Sequence, residues 1–186
     1  ALLSSLLELT GGVLYYGLGP LRGWIRALSR VRNQLSLLEP RPYQTHCLRT
    51  FWSMLIPWPS LSFTLYVLSG LFISVLLVSC WRRRLPLSLR FSALLFASAL
   101  LAPHLTVYDL VILAPAFLLL SDSIIARRGE MAAYLPVLLY LAFILPLLGP
   151  LARWTHLQLT VPVMVAIVYV IWNSGGPRDL RLRLNN

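Results

Sequence analysis

The chain has 186 residues, of which 58% are hydrophobic and only 12% charged, and its mean hydropathy is +0.75; this balance excludes an ordinary soluble domain and points to a membrane protein. The net charge of +10 comes from sixteen basic residues, all arginine, against six acids. Multi-pass proteins carry such an excess in their cytoplasmic loops and at anionic lipid interfaces, so no nucleic acid is needed as a partner.

From its N-terminus the chain runs through "ALLSSLLEL", which has neither a basic leader region nor a small-residue cleavage site and is expected to be the end of a span in a fragment of a longer protein rather than a secretory signal. Leu21, Trp24, Ile25, Leu28 and Val31 then recur at helical spacing, with Arg22, Arg26 and Arg30 on the opposite stripe. That pattern predicts an amphipathic helix lying along the membrane interface, either a plain surface helix or one that holds an anionic lipid substrate. The segment "LLEPRPYQTHCLRTFWSMLIPWP", residues 37–59, mixes prolines, basic residues and aromatics. It reads as a structured loop dipping into the interface, with Trp52 and Trp58 in the aromatic belt.

About twenty apolar residues cross a bilayer core. The first such run, Leu61 to Cys80, stops at Trp81 to Arg84, "WRRR". Leu85 to Ala102 follows, with Arg90 near its start able to snorkel back, and then Val107 to Ile125, Met131 to Pro150 and Leu157 to Trp172. Pro136, Pro146 and Pro162 predict kinks in the last two. By this layout Arg82, Arg83, Arg84, Arg90, Arg127, Arg128, Arg178, Arg181 and Arg183 share one face, which the positive-inside rule makes cytoplasmic, and Arg153 stands in the short loops opposite. Cys47 and Cys80 fall at opposite faces and imply neither a disulfide nor a metal site.

The expected fold is all-α: a multi-pass transmembrane helical bundle of about five spans plus the interfacial helix, in the cell membrane with its C-terminus cytoplasmic. Residues 1–60 hold the end of a span and a basic outer loop, 61–172 the bundle, and 173–186 a basic cytoplasmic tail. The outer segment, with Arg22, Arg26, Arg30, Arg32, Arg41 and Arg49, is more basic than the rule allows and needs an explanation, either a plain surface helix or a hold on an anionic lipid substrate.

No phosphate-cradling glycine loop, zinc-ligand pattern or nucleophile elbow occurs. The chemistry-bearing stretch is "APHLTVYDLVILAP", residues 102–115. Asp109 lies about two residues inside an apolar run, just after Tyr108 and five residues after His104, and a carboxylate so placed must find donors. It can simply cap the span. Alternatively, His104, Tyr108 and Asp109 converge on the outer edge as a sugar or phosphate site, with His104 and Tyr108 one turn apart if the stretch is helical. His46 and His156 are weaker candidates; each suits an interfacial role.

The stretch "APHLTVYDLVILAPAFLLL" resembles the late segment of glycosyltransferase family 87, membrane enzymes of the GT-C type, in which a Ser/Ala-Pro-His and a Tyr-Asp pair open a leucine-rich span. "YYGLGPLRGWIRAL" and "YQTHCLRTFWSML" are similar to that family's outer loop, although Thr45 and Cys47 depart from its commoner serine pattern. The resemblance implies the C-terminal half of a GT-C-like hexosyltransferase, most often a mannosyltransferase. Such an enzyme uses a polyprenyl-phosphate sugar donor and a lipid-linked or glycan acceptor at the outer face, with inversion at the anomeric carbon. It implies that the catalytic base lies outside this chain, in a missing N-terminal half, so that the fragment alone is inactive. By the same resemblance His104, Tyr108 and Asp109 contact sugar or phosphate, and Arg41, Arg49 and His46 pair with the lipid phosphate; no metal or other cofactor is called for. A secondary transporter and a noncatalytic scaffold are the competing readings. The first lacks the paired, interrupted half-repeats such proteins show.

Overall fold

Apolar runs broken by prolines and by arginine-rich stops leave the backbone few alternatives to helices, whose amide groups are satisfied within each segment. A computed structural model of the protein describes residues 2–33, 41–83, 85–126 and 134–174. Among the described residues there are nine α-helices and no strand, only an isolated antiparallel bridge between Thr45 and Thr106. The chain divides into two compact units, Ala1–Pro40 and Arg41–Asn186.

The first unit holds α1 (Leu2–Tyr16) and α2 (Gly19–Asn33). Gly17, with φ of 72°, turns the chain between them, and its N–H donates to the Val13 carbonyl at 2.9 Å. A left-handed residue just past a helix end is the position glycine fills without a Cβ penalty. The expected interfacial helix is α2. Trp24 and Ile25 stand exposed, and Arg26 Nε reaches the Arg22 carbonyl at 3.4 Å; the side chains of Leu28, Arg30, Val31 and Arg32 lie outside the described set.

The second unit opens with a 3-10 turn (Pro42–Gln44) and continues with α3 (Leu48–Leu55), α4 (Pro59–Arg82) and α5 (Leu87–Leu101). A 3-10 turn (Tyr108–Leu113) runs into α6 (Ala114–Ala126), and α7 (Leu135–Ile144) runs into another (Leu145–Leu148). The last helices are α8 (Gly149–Thr155) and α9 (Thr160–Asn173). The interfacial loop expected between residues 37 and 59 thus contains a short helix of its own, α3.

Prolines set several of these boundaries. Pro59, Pro136 and Pro150 occupy the first or second positions of α4, α7 and α8, where an amide proton would have no intrahelical acceptor anyway. Pro162 likewise sits in the first turn of α9. The kinks expected at Pro136 and Pro162 are therefore absent: each residue helps to begin a helix rather than bend one. Pro146 does mark a change, lying in the 3-10 turn that ends α7. Pro115 has no N–H to offer the Val111 carbonyl, and the Ala114 N–H bonds that carbonyl in the tighter 3-10 pattern instead.

Long-range hydrogen bonds give the helix directions. Tyr66 Oη donates to the Leu101 carbonyl at 3.0 Å, and Arg90 stacks over the Trp81 ring, so α4 and α5 are antiparallel. Trp172 Nε1 donates to Ser79 Oγ at 2.9 Å, which sets α9 parallel to α4. Ser88 and Ser123 meet at 3.2 Å, bringing the end of α6 to the start of α5.

The core lies between α5 and α9, where Leu89, Ala93, Phe96 and Leu100 face inward from one and Met164, Ile167, Val168 and Ile171 from the other, all fully buried. A Cβ on Gly70 would lie 3.2 Å from Leu101 Cδ2, so this glycine lets α4 approach α5 closely. Pointing away from the core, Phe63, Leu68, Leu71, Phe72, Val75 and Val78 of α4 are exposed, an apolar face of the kind that marks a membrane or protein contact surface. Two helical segments, Pro59–Arg82 and Tyr108–Ala126, are long and apolar enough to cross a membrane, and three shorter apolar ones accompany them. At about 1.5 Å per residue α4 reaches roughly 36 Å. The expectations for Arg84, Arg127, Arg128 and the tail with Arg178, Arg181 and Arg183 fall outside the described residues.

Candidate functional site

Two connecting segments pair at the end of the second unit where α4 begins and α5 ends. The His46 N–H donates to the Leu105 carbonyl at 2.8 Å and the Val107 N–H to the Gln44 carbonyl at 3.0 Å, flanking the Thr45–Thr106 bridge. This pairing clamps residues 44–47 against 103–107 and builds a polar corner. Arg49, in the first turn of α3, places Nη1 3.3 Å from the Pro103 carbonyl and so beside His104. Cys47 Sγ lies 3.3 Å from Thr50 Oγ1 and 3.9 Å from the same Pro103 carbonyl.

Asp109 has found its donors. Oδ2 accepts both the N–H and the hydroxyl of Thr106 at 2.8 Å, and the Asp109 N–H donates back to the Thr106 carbonyl at 3.1 Å. This is one half of a capping box, in which an acid three residues on accepts the N–H at the helix start; the Thr106 hydroxyl donates to the same oxygen instead of accepting a backbone N–H. The side chain is exposed. Tyr108 beside it is 85% exposed and projects from the corner. Residues 104–106 carry no helical turn, and Val107 is the first residue in helical backbone conformation, so His104 and Tyr108 do not share a helix face, contrary to the conditional expectation.

His46 departs most from its expected role. It was expected to meet a lipid phosphate, but it is 2% exposed, and neither ring nitrogen has a hydrogen-bond partner. Burial pushes its pKa down to about 4, because removing a cation from water disfavours the charged form. At neutral pH it is an uncharged wall residue and not an anion receptor. It lines a cavity of about 10 Å³ together with Gln158, whose Nε2 donates to the Pro42 carbonyl at 2.7 Å while Oε1 stays unpartnered. Arg41 stands apart, exposed, its carbonyl accepting the Gln44 N–H. Of the six site residues expected from sequence, the structure thus gathers Arg49, His104, Tyr108 and Asp109 at one corner, puts His46 behind it and leaves Arg41 at its edge. His156 takes the left-handed position after α8, with φ of 54°.

Thr106 and Gln158 join the site only in the folded chain. The first carried a legible signal, since a threonine three residues before an acid is a cap pattern. The second did not, because its partner is 116 residues away in the chain.

An apolar groove of about 490 Å³ starts at the same corner, lined by Val107, Leu110, Val111, Phe117, Phe143 and Pro146 among others. Val107 and Leu110 flank the Tyr108–Asp109 pair in sequence, so polar corner and apolar groove are adjoining parts of one surface. Phe117 and Phe143 meet edge to face at 6.3 Å within it. Such an arrangement suits an amphiphile, with its polar head at the corner and its tail along the groove.

Comparison with protein-family models, with curated proteins and with solved structures finds no match to this chain.

Proposed function

We propose that this chain is the cavity-forming part of an integral-membrane hexosyltransferase that takes its sugar, mannose in the first instance, from a polyprenyl-phosphate donor at the outer face. The observation carrying this reading is the junction of corner and groove. His104, Tyr108, Asp109 and Arg49 offer donors, acceptors and charge at the point where a 490 Å³ apolar groove begins. A donor with a long prenyl tail enters a bilayer protein from the side, which requires an apolar track ending at polar groups at headgroup depth. The resemblance of residues 102–120 to glycosyltransferase family 87 supports the same substrate class.

In this reading about five helical segments cross the membrane, with the corner outside and the arginine-rich end, including the C-terminus, in the cytoplasm. The exposed apolar face of α4 is covered by lipid. Arg49 attracts the phosphate, and Asp109 Oδ1 and His104 orient sugar hydroxyls. The base that activates the acceptor, a lipid-linked or glycan hydroxyl, comes from outside these residues.

The test is binding. A labelled polyprenyl-phosphate mannose is titrated into the chain in lipid nanodiscs, with unlabelled polyprenyl phosphate as competitor. Saturable binding that Val111→Trp blocks in the groove and Arg49→Gln weakens at the corner is expected. Absence of saturable binding, or binding indifferent to both substitutions, would sink the proposal; uptake of a small solute into vesicles instead would favour a transporter.

A further inference from the structure

We infer that the end of the second unit opposite the corner is a binding site for the phosphate of an anionic phospholipid. About 22 Å, the length of the fifteen-residue α5, separates the two ends. At this far end two arginines are laid on two tryptophans. The Arg83 guanidinium lies 4.5 Å from the centre of the Trp172 ring while Nη1 donates to the Trp172 carbonyl at 2.8 Å. Trp172 is itself held by the bond from its Nε1 to Ser79 Oγ. Arg90, in the first turn of α5, lies 5.2 Å from the centre of the Trp81 ring, and Arg82 is exposed beside them.

These guanidinium groups are positioned but not neutralised. Among the described residues no carboxylate pairs with Arg82, Arg83 or Arg90, and Arg90 Nε is buried with no hydrogen-bond partner. Leaving a charged donor unsatisfied is expensive in a poorly hydrated setting. Stacking on an indole fixes the plane of a guanidinium while leaving its edge free, and that edge matches two phosphate oxygens. Arg90 Nε is buried, so pairing with such an acceptor requires its guanidinium to turn over the Trp81 face. Tryptophan rings and arginines at one level are also what places a residue at the headgroup region of a bilayer. A phospholipid phosphate satisfies the charge, the orphan donor and the depth together, whereas a free anion in water satisfies only the first two.

The inference rests on the membrane embedding proposed above and is independent of sugar transfer. The intact chain is incorporated in nanodiscs of phosphatidylcholine alone or mixed with phosphatidylglycerol, and the lipid retained after extraction is measured by native mass spectrometry. Phosphatidylglycerol is expected to be retained in preference to phosphatidylcholine. The Arg83→Gln/Arg90→Gln pair lowers that preference roughly thirtyfold, given that each basic residue near an anionic surface contributes about a fivefold gain. Arg153→Gln, at the other end, leaves it unchanged. Arg90→Lys, which keeps the charge and the fold but loses the planar fork, lowers retention in part.

Equal retention of the two lipids, or a preference that survives the double substitution, overturns the inference. So does equal stabilisation by inorganic phosphate in lipid-free detergent, which would make the site one for free anions. A chain that fails to enter nanodiscs at all overturns the membrane reading first and this one with it.

Discussion

Lowering the pH from 7 to 4 isolates the energetic consequence of burying His46. In the unfolded chain this imidazole takes up a proton near pH 6.5, and inside the fold only near pH 4. Between those values the unfolded chain binds more protons than the folded one. The stability contributed by the neutral buried ring is therefore complete above about pH 6.5 and is lost as the pH falls toward 4. At about 1.4 kcal/mol per pH unit, the loss is about 2 kcal/mol by pH 5 and about 3 kcal/mol by pH 4. The other residues lining its cavity, drawn from 145–152 and 157–160, include no titratable side chain. Reversible unfolding in detergent micelles at half-unit pH steps, performed on the parent and on His46→Leu, reads the effect as a difference in which all other titrations cancel. The variant is expected to be the more stable at pH 7, because it removes two unpartnered buried nitrogens at about 1 kcal/mol or more, and its advantage grows by about 3 kcal/mol at pH 4. Parallel curves from pH 7 to 4 would refute the reasoning, since they would mean that His46 is solvated or finds a partner in the folded protein.

Further outcomes follow from the same geometry. Thr106→Val removes the hydroxyl donor to Asp109 and is expected to cost about 1 kcal/mol, the usual net worth of one intramolecular hydrogen bond, read in the same unfolding experiment; no loss would mean that the Thr106 N–H alone holds the carboxylate. His156→Gly relieves a left-handed backbone and is expected to be neutral to stabilising by up to about 1 kcal/mol, whereas a clear loss would show that the imidazole makes a contact of its own. In a form competent for sugar transfer, Asp109→Asn and His104→Ala are expected to lower the transfer rate at least about tenfold, the effect of about 1.4 kcal/mol in the barrier, with membrane insertion intact. Parental rates in both would remove the corner from the reaction.

The positions of the helices were legible because apolarity and helix boundaries are local. The run expected over 61–80 is the centre of α4, and those expected over 85–102 and 107–125 coincide with α5 and with the 108–126 segment to within two residues. Arg90 does reach back toward Trp81, as a cation near the start of an apolar helix is expected to. The prolines were harder to read. Whether a proline kinks a helix or opens one depends on where the first turn falls, and near residues 136 and 162 the surrounding sequence is apolar on both sides of that point. Trp52, expected in the aromatic belt, also ties α3 to α4 through Ser69 at 3.0 Å, a contact its local sequence does not announce.

By itself the sequence determined a helical, strongly apolar chain with an arginine-rich end, and it located His104, Tyr108 and Asp109 where a helical run begins, because each of these properties is set by residues within a turn or two of one another. Only the tertiary structure decided that residues 44–47 pair with 103–107, that Arg49 arrives beside His104, and that His46 is buried and uncharged beside Gln158. In helices apolar on every side, composition does not say which face is buried against protein and which is left exposed; that is decided by close packing between segments far apart in the chain, at places such as Gly70 against Leu101.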